Sequence, residues 1–345
     1  MKKFNLNEVG RETPYIIAEV SANHKQNKDF AMSLIDLAVE SGADAVKFQT
    51  YTPDSITVNS DLDYFKIGRN NNWSGKSLYE LYESGYTPYE WHQDLFDYAY
   101  HKKIMPFSSV FSEVDLDFLE TLNCQIYKIA SYEANDIQLI KKIAQKNKPV
   151  FLSVGSCSEL EVDLAISTLK KYLNENFVIF NCLSAYPAPI NEMSFQRIPR
   201  LINEFGVKAG FSDHSSNSDS ALVSYALGAR FFEKHIMLNE KYQPLDFEFS
   251  LTGEEFIDYV NKLHNVSQGM ANSKFEVQNS EIVNTVFKRS LFASKNIKKG
   301  DVFSEENIKS IRPSIGLHPS KYYEIIGKKS KKNIKKYSPL SEDDY

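Results

Sequence analysis

Two histidines, His214 and His235, bracket one stretch of the chain, FSDHSSNSDSALVSYALGARFFEKH, from Phe211 to His235. VKAGF runs up to Ser212, two residues before the first histidine, and ARFFEKH ends on the second. Asp219 to Leu227 between them reads as a short helix. The pattern is strand, polar turn, helix, strand, with an imidazole at the C-terminal end of each strand. Two neutral imidazoles on adjacent strands can hold one divalent metal and leave coordination positions open. The plainer reading is a pair of core or loop histidines bonded to backbone. The matched placement at successive strand ends favours the metal.

Lys47 in AVKFQ and Lys128 in QIYKIA lie inside apolar runs, where an ammonium is costly unless paired. Three readings stand side by side. Each lysine is in an ion pair with a carboxylate such as Glu19 or Glu133. Or the two, with the hydroxyls of Ser109, Ser131 and Ser212, form a site for phosphate or carboxylate. Or one is a desolvated lysine that forms an imine with a carbonyl substrate. Glu19, the last residue but one of PYIIAEV, reads as a general acid or base, as the partner of Lys47, or as both. Asp246, in the loop PLDFEFSL, is either a group near the metal or a solvated loop aspartate. Gln49, Ser108, Ser153, Asn181, Ser184 and Tyr186 also fall at strand ends, and Asn23 and His24 read as part of the first turn.

These side chains need strands that all open on one face. Pro14–Val20, Ala45–Gln49, Ile104–Ser108, Gln125–Ala130, Pro149–Ser153, Phe177–Asn181, Val207–Phe211 and Ala229–His235 are short apolar runs suited to buried parallel strands. Helical spacing separates them at Lys28–Ser41, Tyr89–Lys102, Glu113–Leu122, Asp136–Lys146, Glu159–Leu173, Met193–Phe205 and Asp219–Leu227, and Thr252–Met270 closes the series. This alternation predicts an α/β fold, a (β/α)8 barrel with its reactive groups at the strand C-termini. An open doubly wound sheet is the alternative, but no GxGxxG turn follows the first strand. Thr52–Thr87, which includes NNNWSGKSLYELY, is an insertion long enough to be a lid or an oligomer contact. The barrel is expected over residues 1–272 and a polar linker over 273–286. A small, lysine-rich, mostly β domain over 287–345 should contain a KKGD turn and a brief helix capped by Ser304.

The chain has 345 residues and a formal net charge of −5, which argues against a nucleic-acid binder, although local lysines can reverse the sign inside a cleft. Three cysteines without CxxC spacing read as the thiols of a cytoplasmic protein. The N-terminal stretch lacks the apolar core of a signal peptide, and no run approaches the ~20 apolar residues of a membrane span.

Taken in order, IIAEVSANHKQN, DAVKFQTYTPDS, YKIASYE, LSAYPAP, GFSDHS, FFEKH and the terminal RSLFASKNIKKGDVFSEENIKSIRPSIGL resemble the sialic acid synthase family. The resemblance runs from Tyr15 into the C-terminal domain. It implies a TIM barrel followed by an antifreeze-like (SAF) domain. It also implies a domain-swapped homodimer whose SAF domain caps the partner's active site. The implied reaction condenses phosphoenolpyruvate with an N-acetylated amino sugar to give a nonulosonic acid and phosphate.

Carried over by position, the resemblance assigns a divalent metal, Mn2+ foremost with Mg2+ or Co2+ as alternatives, to His214 and His235. It assigns phosphoenolpyruvate to Lys47, Ser109, Lys128, Ser131, Ser184 and Ser212. Many members have threonine at Ser109, and some have asparagine at Ser184. Gln49, Glu133, Tyr186 and Asp246 match sugar-side positions, Glu19 the acid–base position, and Arg312 an arginine that reaches the sugar's N-acetyl group in the other subunit. Phe247 stands where N-acetylneuraminate and legionaminate synthases carry a histidine. With KIASYE, it makes the chain more similar to the pseudaminic acid branch, whose sugar is a 6-deoxy diacetamido altrose. SVGS at Ser153–Ser156 departs from the commoner STGM. Within the family an N-acetylneuraminate or legionaminate synthase remains the alternative, and from other classes a Schiff-base aldolase using Lys128 or Lys47 and a non-catalytic carbohydrate-binding protein.

Overall fold

The computed structural model describes residues 3–68, 73–271 and 273–345, in two compact units, 1–272 and 273–345. In the first unit β1 (Tyr15–Glu19), β2 (Ala45–Thr50), β3 (Met105–Val110), β4 (Tyr127–Ile129), β5 (Val150–Ser153), β6 (Phe177–Cys182), β7 (Lys208–Asp213) and β8 (Phe231–His235) close into a barrel. All neighbouring pairs are parallel, and β8 pairs back onto β1 with Glu19 opposite His235. The predicted eight-stranded barrel is therefore the fold. β3 and β7 run further toward their C-termini than the apolar runs suggested, because Ser109, Ser212 and Asp213 still pair with neighbours.

The helices α1 (Lys28–Glu40), α2 (Pro53–Ile56), α3 (Leu78–Gly85), α4 (Tyr89–His101), α5 (Glu113–Thr121), α6 (Ile137–Ala144), α7 (Glu159–Leu173), α8 (Arg197–Asn203), α9 (Asp219–Ala226) and α10 (Gly253–Met270) belong to the same unit. Their starts are set locally. Asn27 Oδ1 accepts from the N–H groups of Asp29 and Phe30 at the head of α1, and Ser158 with Glu161 forms a capping box on α7. Leu34, Ile35 and Ala38 then face the strands from α1. The helix expected over Met193–Phe205 is shorter, because Ser194 adopts a left-handed φ of 48° that breaks the spiral before Arg197. Pro199 is tolerated in its first turn, where a missing N–H loses no helical bond. Of the long insertion, α2 and α3 are described, while residues 69–72, which include all of NNN, lie outside the described residues.

Alternation along each strand sends every second side chain inward. The lower inward positions are aromatic. Phe151 packs on Phe107, Phe180 and Phe231 with ring centres 5.5–5.6 Å apart, and Phe4 covers Tyr15 and Phe151 from below. Gly210 makes room for this stack, since a Cβ there would lie 2.7 Å from the Phe180 ring. One level higher the inward residues turn polar: Glu19, Lys47, Ser109, Lys128, Ser153, Ser212 and Glu233.

The second unit pairs β9 (Ser290–Ala293) with β10 (Ile308–Ile311) antiparallel over a small core that includes Leu291, Phe303, Ile325 and Leu340. A short α11 (Tyr322–Ile325) follows. The KKGD turn is present, with Lys298 N–H donating to Asp301 Oδ2 at 2.8 Å. The Ser304-capped helix is not. Asn307 Oδ1 accepts from Ser304 N–H at 2.8 Å, closing a turn that leads straight into β10. Within the stretch read as a linker, Asn279–Phe287 is a 3-10 helix with Ile282, Val283, Val286 and Phe287 exposed. Among the described residues no helix is long and apolar enough to cross a membrane.

Candidate active site

A cavity of about 280 Å³ sits above the aromatic stack, at the C-terminal ends of the strands. Its floor is a layer of buried charge. Lys47 Nζ lies 2.8 Å from Glu19 Oε2 and 3.5 Å from Glu233 Oε1, and donates to Ser109 Oγ at 3.0 Å. Gln49 Nε2 donates to Glu19 Oε1 at 2.9 Å. Burial alone would strip Lys47 of its proton, but the two carboxylates outweigh it and hold the ammonium above its usual range. Burial lifts Glu19 to about 7, against the pull of Lys47 and with the help of Glu233. Burial also acts on Glu233, but Lys47, Lys128 and His214 together hold it below the usual carboxylate range.

Lys128 differs. Its Nζ donates to Ser153 Oγ at 2.7 Å and to the Ile129 carbonyl at 3.0 Å, and lies 5.7 Å from the centre of the Phe180 ring. Among the described residues it has no carboxylate within ion-pair distance, and burial pulls its pKa down. Of the two lysines, Lys47 makes the expected ion pair with Glu19, while Lys128 is a buried cation whose hydrogen bonds all go to neutral groups. Such a group calls for an anion. Beside it, Ser131 Oγ accepts from Gly155 N–H at 3.1 Å and meets Cys182 Sγ at 3.0 Å. Ser184 is the expected anion contact that does not line this cavity: its Oγ is 4.0 Å from Cys182 Sγ and packs on Gly155.

His214 and His235 both line the cavity, with ring centres 5.5 Å apart. His214 Nδ1 donates to the Leu183 carbonyl at 3.0 Å, which leaves the Nε2 lone pair available. Burial drops His214 to about 4, and burial and then His214 push His235 well below its ordinary value. Both rings are therefore neutral near pH 7. His235 Nδ1 is buried with no hydrogen-bond partner and stands 3.7 Å from Asp246 Oδ2. Asp246 is buried on the cavity wall, so the solvated-loop reading fails. Its carboxyl is raised by desolvation, against a hydrogen bond from Ser21. No cluster of three or more His, Cys, Asp or Glu side chains set to hold a metal occurs among the described residues.

Glu133 lines the same space, lifted to about 7 by burial. Tyr186 packs on His214 at 4.6 Å. The outer wall is apolar and comes from the loops: Tyr51, Ile56, Trp73, Leu81 and Tyr82 from the second strand and its insertion, Phe111 after β3, and Leu245 and Phe249 after β8. The sequence marked the loops NNNWSGKSLYELY and PLDFEFSL that supply several of these, but not the individual wall residues, nor Glu233. The signal for Glu233 was present in FFEKH, since counting back two from an inward His235 turns it inward too. Ser108 and Asn181 face away, toward Thr50 and the Met193 carbonyl. Asn23 ties the first turn to Ile236 and Ser250, and His24 bonds Thr87, as turn-building residues should. Arg312 follows β10 in the second unit, with its guanidinium over the Phe287 ring at 5.9 Å.

Residues 34–275 match the NeuB family and residues 288–345 the SAF domain. The pseudaminic acid synthase of Campylobacter jejuni is 43% identical over 96% of both chains. That of Helicobacter pylori is 40% identical over 96% of this chain and 98% of its own. The crystal structure of the spore coat polysaccharide biosynthesis protein SpsE from Bacillus subtilis superposes with a TM-score of 0.66 at 29% identity, over 99% of both chains.

Proposed function

The chain belongs to the NeuB family and is an enzyme, and on that premise we propose that it condenses phosphoenolpyruvate with an N-acetylated amino sugar. The observation that carries the reading is Lys128, a buried ammonium with hydroxyls around it and no carboxylate of its own. The phosphate and carboxylate of phosphoenolpyruvate would rest on Lys128 and Lys47, oriented by the hydroxyls of Ser109, Ser131, Ser153 and Ser212. The open-chain sugar would occupy the outer cavity, against Gln49, Glu133, Tyr186 and Asp246. The enol π electrons then join C3 to the aldehyde carbon, whose oxygen takes a proton from bulk water, and C2 is left cationic. Water adds at C2 and gives its proton to Glu19, poised near neutrality for that task. The C2–O bond breaks, phosphate leaves with the electron pair and takes up the C2 hydroxyl proton, and a 2-keto acid remains.

A divalent cation, Mn2+ before Mg2+ or Co2+, fits the imidazole pair, because His214 Nε2 and the unpartnered His235 Nδ1 are neutral donors beside the Asp246 carboxylate. Bound there, it would supply Lewis-acid polarisation of the aldehyde oxygen. The sugar of the pseudaminic acid branch, a 6-deoxy diacetamido altrose, agrees with the 43% identity to a pseudaminic acid synthase, against 31% to a diacetyllegionaminic acid synthase of the same species. The exposed apolar side chains of Phe275, Ile282, Val283 and Phe287 suit a surface covered in a homodimer, with Arg312 acting on the partner's sugar. Unpaired thiols at Cys124, Cys157 and Cys182 agree with a cytoplasmic location.

Phosphate release tests the reading. The full chain with Mn2+, phosphoenolpyruvate and that altrose should release phosphate, more slowly with N-acetylmannosamine, and chelation should stop it. No phosphate with any N-acetylated hexose, or an unchanged rate under chelator, would refute it.

A further inference from the structure

Asp213 and Lys234 adjoin the two imidazoles in sequence but point the other way. Alternation turns Ser212, His214, Glu233 and His235 into the cavity, and Asp213 and Lys234 outward. Both outward side chains are fully buried, at 0% exposure. The Lys234 ammonium donates to the Asp213 carbonyl at 3.2 Å and, by a shorter bond, to the Ser215 carbonyl. It thus grips the backbone on both sides of His214. Asp213 Oδ1, 3.9 Å from the ammonium, accepts from the N–H and Oγ–H of Ser215 at 2.9 and 2.6 Å. The Tyr259 phenol of α10 faces the same carboxylate.

The pairing of β7 with β8 ends at Asp213 opposite Lys234. Beyond that point no ladder ties the His214 segment to β8, and the Lys234 side chain takes over. A buried ion pair is poor evidence of stabilisation, since apolar replacements of similar volume often do as well. An apolar pair, however, could not hold two carbonyls at once. We infer that Lys234, with Asp213, is a positioning residue that fixes His214 against His235 and thereby sets how tightly the imidazole pair binds a divalent cation. The inference rests on the cation reading given above.

Its test uses the full-length chain and Mn2+ alone, with free Mn2+ followed by electron paramagnetic resonance and Co2+ substitution followed by visible absorption. The double variant Lys234→Met/Asp213→Asn removes both charges together and leaves neither unpaired. It should melt cooperatively and bind Mn2+ about ten- to a hundredfold more weakly, the range for lost outer-shell support, with an altered Co2+ spectrum. An unchanged Mn2+ affinity and Co2+ spectrum, even with a lower melting temperature, would overturn the inference and leave the pair a purely structural role. If the wild-type chain binds no Mn2+, the cation reading falls and takes this inference with it. Should the double variant not fold, the near-isosteric Asp213→Asn is judged by the same two readouts, with Mn2+ binding expected to weaken about tenfold, the lower end of that range.

Discussion

Glu19→Gln isolates the proton-transfer step. Gln keeps the size of the side chain and can still accept from Gln49, but it cannot take a proton. With its pKa lifted to about 7, Glu19 is about one-tenth ionised at pH 6 and about nine-tenths at pH 8. A base works only when ionised, so kcat/KM should rise roughly tenfold across that interval. A carboxylate at its ordinary value would be ionised throughout and give a flat profile. His214 and His235 are neutral in this window and add no limb, but Glu133, also near 7, could. Profiles of Glu19→Gln and Glu133→Gln, followed by phosphate release under saturating metal, separate the two carboxyls. Glu19→Gln should lose about 10²–10⁴ in kcat and the rising limb with it, whereas Glu133→Gln should keep the limb. A Glu19→Gln enzyme within twofold of wild type, or one that keeps its acid limb, would refute the assignment.

Lys128→Met removes the unpaired ammonium. A lost charge-assisted bond of about 1.5–3 kcal/mol should raise KM for phosphoenolpyruvate about ten- to a hundredfold, and an equal rise for the sugar would argue against an anion site. Arg312→Ala should raise KM for the sugar about tenfold or more and leave that for phosphoenolpyruvate nearly unchanged; equal losses would remove the arginine from sugar recognition. Gly210→Ala drives a methyl into the Phe180 ring, so urea unfolding should show a loss of about 1–3 kcal/mol, and an unshifted midpoint would mean the ring can move aside.

The barrel was legible because the strands are almost wholly buried on both faces and read as short, mostly apolar runs. For the same reason an ionisable residue inside a run stood out, and Lys47 and Lys128 both reach the cavity. Glu233 escaped because it sits between Phe232 and Lys234, and a mixed run does not announce which face matters until one end is anchored. Asp246 and Ser184 show the other limit. Burial of a loop residue depends on what packs over it, and nothing local distinguishes a wall residue from one turned aside. The Ser304 turn failed in a similar way, since the competing acceptor was the side chain of Asn307.

With rings filling the base of the cylinder, both reactants and the attacking water would come in from the side of the strand C-termini. Whatever belongs on the ammonium layer has to arrive before the molecule that rests above it. Initial-rate studies should therefore show a compulsory sequence, the enol phosphate entering first, and a random sequence would mean that the outer occupant leaves a way past. A barrel open at both ends would impose no such queue.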